Sequence, residues 1–285
     1  MKIVSTASEM HELSRANRAP GCRIGFVPTM GALHDGHLSL VRRARELAKF
    51  VVVSIFVNPT QFGPKEDFSK YPRDLQADLK KLSSLDIDCV FAPEPGEIYS
   101  QDFRTHVEVE DWGKRLCGST RPGHFRGVTT VVAKLFNIVT PDVAVFGQKD
   151  AQQAFIIRRM VRDLNFDVEI VIAPIVRESD GLAMSSRNRY LSAEERRSAT
   201  VLFRSLQKAQ TLVGEGNVRV SSIVESMREI FDREPSAKID YIEWVDSTTL
   251  EPIDEVEEGS LLAVAAFVGS TRLIDNWIVP AMSRH

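Results

Sequence analysis

Along the first two-thirds of the chain, short apolar runs rich in β-branched residues alternate with longer stretches whose apolar positions recur every three or four residues. The runs suit strands and the longer pattern suits amphipathic helices. Arg23 to Pro28 (RIGFVP) predicts a strand, and Gly36 to Lys49 predicts a helix with Leu38, Val41, Ala44 and Ala48 on one stripe. Phe50 to Val57 (FVVVSIFV) is almost wholly apolar, as a strand covered on both faces should be. Asp74 to Leu85 predicts a helix, with Leu75, Leu79, Leu82 and Leu85 on one side. Then follow a strand (Asp86 to Ala92), a helix (His124 to Val139), a strand (Val143 to Gly147), a helix (Asp150 to Leu164) and a strand (Asp167 to Ala173). This alternation implies an α/β fold: a doubly wound parallel sheet with helices on both faces.

From about Val176 the pattern changes. Ser192-Ala-Glu-Glu195 has capping-box spacing and opens a predicted helix that reaches about Val213. Val220 to Phe231 predicts another helix, followed by three β-like runs: Lys238 to Asp246, Ser260 to Val268 and Thr271 to Ile278. Gly269-Ser270 alone joins the last two, a hairpin signal. The expected organisation is therefore a doubly wound domain over residues 1–175 and a smaller C-terminal α+β domain over 176–285, acting as a lid. Glu251 to Glu258 is acidic and reads as a solvated loop.

Composition narrows the function classes. The 285 residues, 43% apolar and 26% charged, suffice for a sizeable core and argue against disorder. A net charge of -3 excludes a generally polycationic nucleic-acid binder, though not a local basic patch. No apolar run approaches the length of a membrane span. The start, MKIVSTASEMHEL, is too polar and acidic for a signal peptide. Cys22, Cys89 and Cys117 are odd in number and widely spaced, so neither a disulfide framework nor a zinc site is expected, and a reducing cytoplasm is the simplest setting.

Candidate chemistry lies just past the expected strand ends, where doubly wound sheets bind ligands. PTMGALHDGH (28–37) follows the first expected strand. Its glycines allow tight turns, the helix start favours a phosphate, and His34 and His37, three apart, share one side. Zinc competes for the two histidines, but no third ligand is evident nearby. FVNPTQF (56–62) places Asn58 and Gln61 past the next strand, to bind a small polar ligand or to form a plain Asn-Pro turn. FGQKDAQQ (146–153) carries Lys149 and Gln153; alone, Lys149 reads as a solvated surface charge. In PIVRESDGLAMSSRN (174–188), Ser185, Ser186 and Arg187 form either a phosphate-binding mobile loop or an exposed linker. RPGHFR (121–126) lines a cleft or is surface, and both readings stand.

Taken in order, PTMGALHDGH, FVNPTQF, RPGHFRGV, FGQKDAQQ and GLAMSSRN resemble the segments of the pantoate–β-alanine ligase (pantothenate synthetase) family. The resemblance runs from about Ile24 to Leu191, with a weaker likeness in the tail at TRLIDN. It implies a Rossmann-like, HIGH-motif nucleotidyltransferase fold, HDGH standing for HIGH and MSSR standing where related synthetases keep a mobile lysine loop. The implied reaction is ATP-dependent condensation of (R)-pantoate with β-alanine through a pantoyl adenylate. By the same resemblance Met30, Gly31, Ala32, Leu33, His34, Asp35, Gly36 and His37 would hold ATP with Gly147, Gln148, Lys149 and Asp150. Val176 would meet adenine or ribose, and Met184, Ser185, Ser186 and Arg187 would close over the phosphates. Gln61 and Gln153 would bind pantoate, Gln61 would also meet β-alanine, and His37 would be the proton donor, with His34, Lys149 and Arg187 assisting. Gln148 departs from the acid found there in many members. The resemblance further implies a Mg²⁺-dependent cytoplasmic homodimer; Asp78 is a weak candidate for the metal. A nucleotidyltransferase that leaves AMP on its substrate, a tRNA ligase and an ATP sensor are the readings it must beat.

Overall fold

In the computed structural model, which describes residues 1–63, 68–69 and 71–281, the chain forms two compact units. The first comprises Met1–Lys114, Gly118–Gln148 and Gln152–Pro174; the second comprises Arg115–Cys117, Lys149–Ala151 and the chain from Ile175 onward.

The first unit opens with β1 (Lys2–Val4) and α1 (Ala7–Asn17), then β2 (Ile24–Thr29), α2 (Asp35–Leu47), β3 (Phe50–Ile55), α3 (Leu75–Leu82) and β4 (Cys89–Phe91). After the short helices α4 (Pro95–Ile98) and α5 (Cys117–Thr120) come α6 (His124–Val139), β5 (Val143–Gly147), α7 (Ala151–Asp163) and β6 (Glu169–Ala173). The six strands pair in parallel in the order β1-β4-β3-β2-β5-β6. From β2 the chain winds one way through β3 and β4, then restarts at β5 on the other side of β2. That reversal leaves the ligand-binding crevice of such sheets at the carboxyl ends of β2 and β5. The apolar run at Phe50 explains itself: Phe50 to Ser54 are all buried.

β1 and α1 are absent from the periodicity reading. Only Met10 gives α1 a fully buried apolar anchor, and much of its attachment is polar. The buried Ser14 hydroxyl donates to the carbonyl of Val139 on α6 (2.7 Å), and His11 bonds to the carbonyl of Asn137 (2.8 Å). A hydrophobic stripe cannot report such a contact face.

The second unit contains α8 (Ala193–Ser198), α9 (Val201–Gly214), α10 (Val220–Asp232) and an antiparallel sheet of β7 (Ala237–Val245), β8 (Leu261–Val268) and β9 (Thr271–Ile278) in that order. Leu202, Leu206, Ile223, Met227, Trp244, Leu262 and Val264 form its core. The Ser192 capping box is present, with Glu195 returning to the Ser192 N–H (2.8 Å). The helix it opens stops at Ser198, however, and resumes at Val201. Between them the Thr200 hydroxyl donates to the Arg197 carbonyl (2.8 Å), the local side-chain competition that bends helices. No helix among the described residues is long and apolar enough to cross a membrane.

Candidate active site

The turn after β2 is held by an acid that follows it by more than forty residues. Gly31 (φ 79°) and Ala32 (φ 50°) both adopt the left-handed conformation, which aims successive backbone N–H groups the same way. The N–H groups of Ala32 and Leu33 donate to the two carboxylate oxygens of Asp78 on α3, at 2.9 and 2.8 Å. Asp78 is 2% exposed. Both of its oxygens serve this turn, so it acts as a clamp on the PTMGAL segment, and these two bonds account for its burial without the metal role raised for it. Among the described residues no group of three His, Cys, Asp or Glu side chains could hold a metal ion.

The clamped turn delivers His34 to the N-cap of α2 and His37 one turn in. Their ring centroids lie 4.1 Å apart. The His34 backbone N–H donates to Nδ1 of His37 (3.4 Å). Because Nδ1 accepts, a neutral His37 carries its proton on Nε2 and is a donor there. The histidine pair thus sits at the positive end of the α2 dipole.

Past β3, Asn58 caps the 3-10 turn Pro59–Gln61. It also fixes the glutamine: Asn58 Nδ2 donates to Gln61 Oε1 (2.9 Å) and to the Gly127 carbonyl (3.1 Å). Gln61 is therefore oriented to offer its Nε2 protons to a ligand. Tyr99 donates its hydroxyl to Asn58 Oδ1 (3.0 Å), and burial raises the Tyr99 pKa, keeping it a neutral donor. The backbone of Gln61 is held as well. His124 Nδ1 donates to the Gln61 carbonyl (2.8 Å), and Arg121 faces His124 Nε2 at 3.0 Å. Since a carbonyl can only accept, Nδ1 carries the proton, and Nε2 takes the Arg121 N–H. The RPGHF segment, undecided between cleft and surface in the sequence, is the backing of the Gln61 turn. Gly127 lets α6 approach that turn: a Cβ there would lie 2.4 Å from the Thr60 carbonyl oxygen.

Gln153 lies on the first turn of α7, after β5. Because β3 and β5 both neighbour β2, Gln61 and Gln153 follow the strands flanking the histidine turn. The first unit so holds Met30 to His37, Gln61, Gly147, Gln148 and Gln153.

The second unit holds Lys149, Asp150, Val176 and Met184 to Arg187. Lys149 Nζ lies 3.6 Å from Asp150. Val176 and Met184 are paired ends of a hairpin: the Met184 N–H donates to the Val176 carbonyl (2.9 Å), and Arg177 bridges Ala183. Ser185 then caps the 3-10 turn Ser186–Tyr190 by accepting from the Arg187 N–H (3.2 Å). Asn188 ties that turn back through Glu178 (2.7 Å) and the Ala183 carbonyl (3.1 Å). Two supports escape the sequence reading. Tyr99 backs Gln61 with no sequence signal, beside Asn58 of FVNPTQF and His124 and Arg121 of RPGHF, whose supporting roles the sequence left open. Asp275 and Asn276 lie in the TRLIDN tail; burial pushes the Asp275 carboxyl up while Arg177 pulls it down.

A sequence profile of the pantoate-beta-alanine ligase family matches residues 2–278. The pantothenate synthetase of Fervidobacterium nodosum is 58% identical over 279 residues, covering 98% of this chain and 99% of that protein. That of Thermotoga petrophila is 57% identical, covering 98% of this chain and all of its own. The crystal structure of pantothenate synthetase from Thermus thermophilus superposes with a TM-score of 0.93 at 47% identity, covering 99% of this chain and 100% of that one. The pantoate-beta-alanine ligase of Francisella tularensis, complexed with beta-gamma ATP and beta-alanine, superposes at 0.80 with 33% identity over 98% of this chain and 97% of its own. The chain belongs to the pantoate–β-alanine ligase family.

Proposed function

We propose that the chain carries out its family's reaction, the ATP-dependent condensation of (R)-pantoate with β-alanine to give pantothenate, AMP and diphosphate, with the residues named above in specific roles. The observation that carries the assignment is the pairing, past β2 and its neighbour β3, of a histidine pair on a helix N-terminus with a glutamine amide oriented by Asn58. The first is suited to phosphate and the second to a small hydroxy acid.

A carboxylate and an amine do not condense usefully in water, so the carboxylate needs a better leaving group. Pantoate is ionised at neutral pH, a carboxyl pKa being about 4, so its attack on the α-phosphorus of ATP needs no base. Diphosphate leaves, and charge grows on its oxygens. His34 and His37 with the α2 N-terminus, and Lys149 and Arg187, are assigned to offset that charge. His37, with its proton on Nε2, is the assigned proton donor. Residues 30–37 and 147–150, Val176 and Met184 to Arg187 are assigned to ATP; Gln61 and Gln153 to pantoate. The β-alanine ammonium gives up a proton to solvent, the freed amine attacks the acyl carbon, and the acyl–phosphate bond breaks so that AMP leaves. Gln61 is assigned to hold the amine close, and positioning supplies much of this step. Mg²⁺ enters the proposal as the counter-ion that ATP brings on its own phosphates, because Asp78, the acid at the β2 turn, is otherwise engaged. A cytoplasmic homodimer completes the reading, supported by the family resemblance and, for the compartment, by three free cysteines. Diphosphate release in the presence of ATP, pantoate and β-alanine, and its loss when pantoate is omitted, tests the assignment; release without pantoate contradicts it.

A further inference from the structure

The TRLIDN tail lies on β9, an edge strand of the second unit, and none of the roles above uses it. Two adjacent buried polar residues there, Asp275 (2% exposed) and Asn276 (4%), face opposite sides of the strand, as neighbours in a strand must. Each side chain ends on a different segment. Asn276 Nδ2 donates to the backbone carbonyl of Lys149 at 3.0 Å. Asp275 takes both terminal nitrogens of Arg177, at 2.6 and 3.0 Å. The same guanidinium donates to the Gly181 carbonyl (2.9 Å) and lies over the Phe203 ring, 4.5 Å from its centroid. Arg177, near the base of the Val176–Met184 hairpin, therefore ties its turn at Gly181 to β9. β9 also packs directly on the 3-10 turn Ser186–Tyr190 that bears Arg187.

An edge strand with no task beyond folding has little reason to bury an acid and an amide side by side, since each costs free energy unless fully paired. Here the partners are a main-chain carbonyl at one cation and the hairpin leading to another. We propose that Asp275 and Asn276 are positioning residues for the adenylation step: Asn276 sets the backbone from which Lys149 reaches the leaving diphosphate, and Asp275, through Arg177, sets the hairpin that carries Ser185 to Arg187. The proposal rests on the phosphate-handling roles assigned above to Lys149 and Arg187. The bidentate geometry matters. A carboxylate accepting two parallel N–H bonds fixes the guanidinium plane as well as its place, and with it the carbonyl of Gly181 across the hairpin.

The test is pantoate-dependent exchange between ATP and diphosphate, measured with the full chain. Asn276→Ala and Asp275→Asn are each introduced into the parent and into the Lys149→Ala and Arg187→Ala proteins, with thermal unfolding recorded for all. A displaced group near the reacting atoms costs roughly tenfold or more in rate. Both variants should therefore lower exchange kcat by about that factor while KM for pantoate stays within about twofold, because the acid pocket is untouched. The loss from Asn276→Ala should largely vanish in the Lys149→Ala background, and that from Asp275→Asn in the Arg187→Ala background, since residues acting through one another are not additive. If either loss carries over undiminished, or if KM for pantoate rises in step, the residue is structural and the proposal falls. Should Asn276→Ala fail to fold, Asn276→Asp, which keeps the side-chain size but loses the N–H donor, takes its place under the same criteria. A parent protein without any exchange would overturn the reaction assignment itself, an outcome visible before any variant is measured.

Discussion

His37 accepts the His34 N–H on Nδ1, so its proton sits on the nitrogen away from the backbone, as a donor to a phosphate oxygen requires. Replacing His34, His37, Lys149 or Arg187 by Ala should lower the adenylation rate by about 10²-fold or more, the usual cost of losing one group that stabilises developing charge. Stopped-flow or exchange kinetics check this, and near-normal turnover of His37→Ala would remove it from the catalytic set. Gln61→Ala and Gln153→Ala should weaken pantoate by about 5- to 150-fold, the equivalent of roughly 1–3 kcal/mol for one unpaired ligand group. Calorimetry should find ATP binding within a few-fold of the parent. If both variants bound pantoate normally and lost ATP, the glutamines would belong to the nucleotide. Asp78 separates a structural acid from a metal-binding one. Asp78→Asn turns an amide NH₂ group toward one of two backbone N–H donors and should cost about 1.5–3 kcal/mol of stability. Added Mg²⁺ should not restore its activity; restoration would return Asp78 to the metal.

At the scale of elements, the helix α6 and the turn it braces give the next prediction. With no Cβ at Gly127, α6 rests on the Thr60 carbonyl; Gly127→Ala puts a methyl 2.4 Å from that oxygen. The Pro59–Gln61 turn must then shift, so pantoate affinity should fall with ATP affinity little changed, read by the same calorimetry. An unchanged pantoate affinity would show that the turn tolerates displacement. Asp246, at the end of β7, accepts from the backbone and hydroxyls of Thr248 and Thr249 (2.6–3.0 Å), and these bonds hold its carboxyl below the ordinary value. A lowered carboxylate stabilises the fold above its unfolded pKa of about 3.9 and loses that contribution as pH falls through the folded value. The melting difference between the parent and Asp246→Ala should therefore be full at neutral pH and shrink below about pH 4; a constant difference contradicts it. The same elements show what a sequence can disclose. The strands β2, β3 and β5 and the helices α2 and α6 are legible because their burial is apolar and periodic. β1 and α1 are not, because β1 is only three residues long and α1 has a single fully buried apolar residue, Met10, beside the polar bonds of Ser14 and His11. The break before α9 is marked by the bond from the Thr200 hydroxyl to the Arg197 carbonyl, which no apolar stripe encodes. The candidate site divides likewise. The segments bearing His34, His37, Gln61 and Lys149 are marked by their place after strands, while the roles of Asp78, His124 and Asn276 as supports depend on partners dozens of residues away.

For the whole molecule, the residues assigned to phosphate are His34, His37, Lys149 and Arg187. None of the assigned residues is placed as a covalent nucleophile, so activation is assigned to an adenylate that forms without the amine. A covalent acyl- or phosphoryl-enzyme would instead need a side chain within attacking distance of the substrate. The assignment further separates the acid pocket, built on two neutral glutamines, from the cationic groups, so pantoate should license phosphate chemistry by supplying the attacking oxygen. The most direct measurement is the exchange of labelled diphosphate into ATP with pantoate present and β-alanine absent. The account predicts exchange under those conditions, abolished by omitting pantoate. Exchange that strictly required β-alanine, or that ran without pantoate, would contradict it.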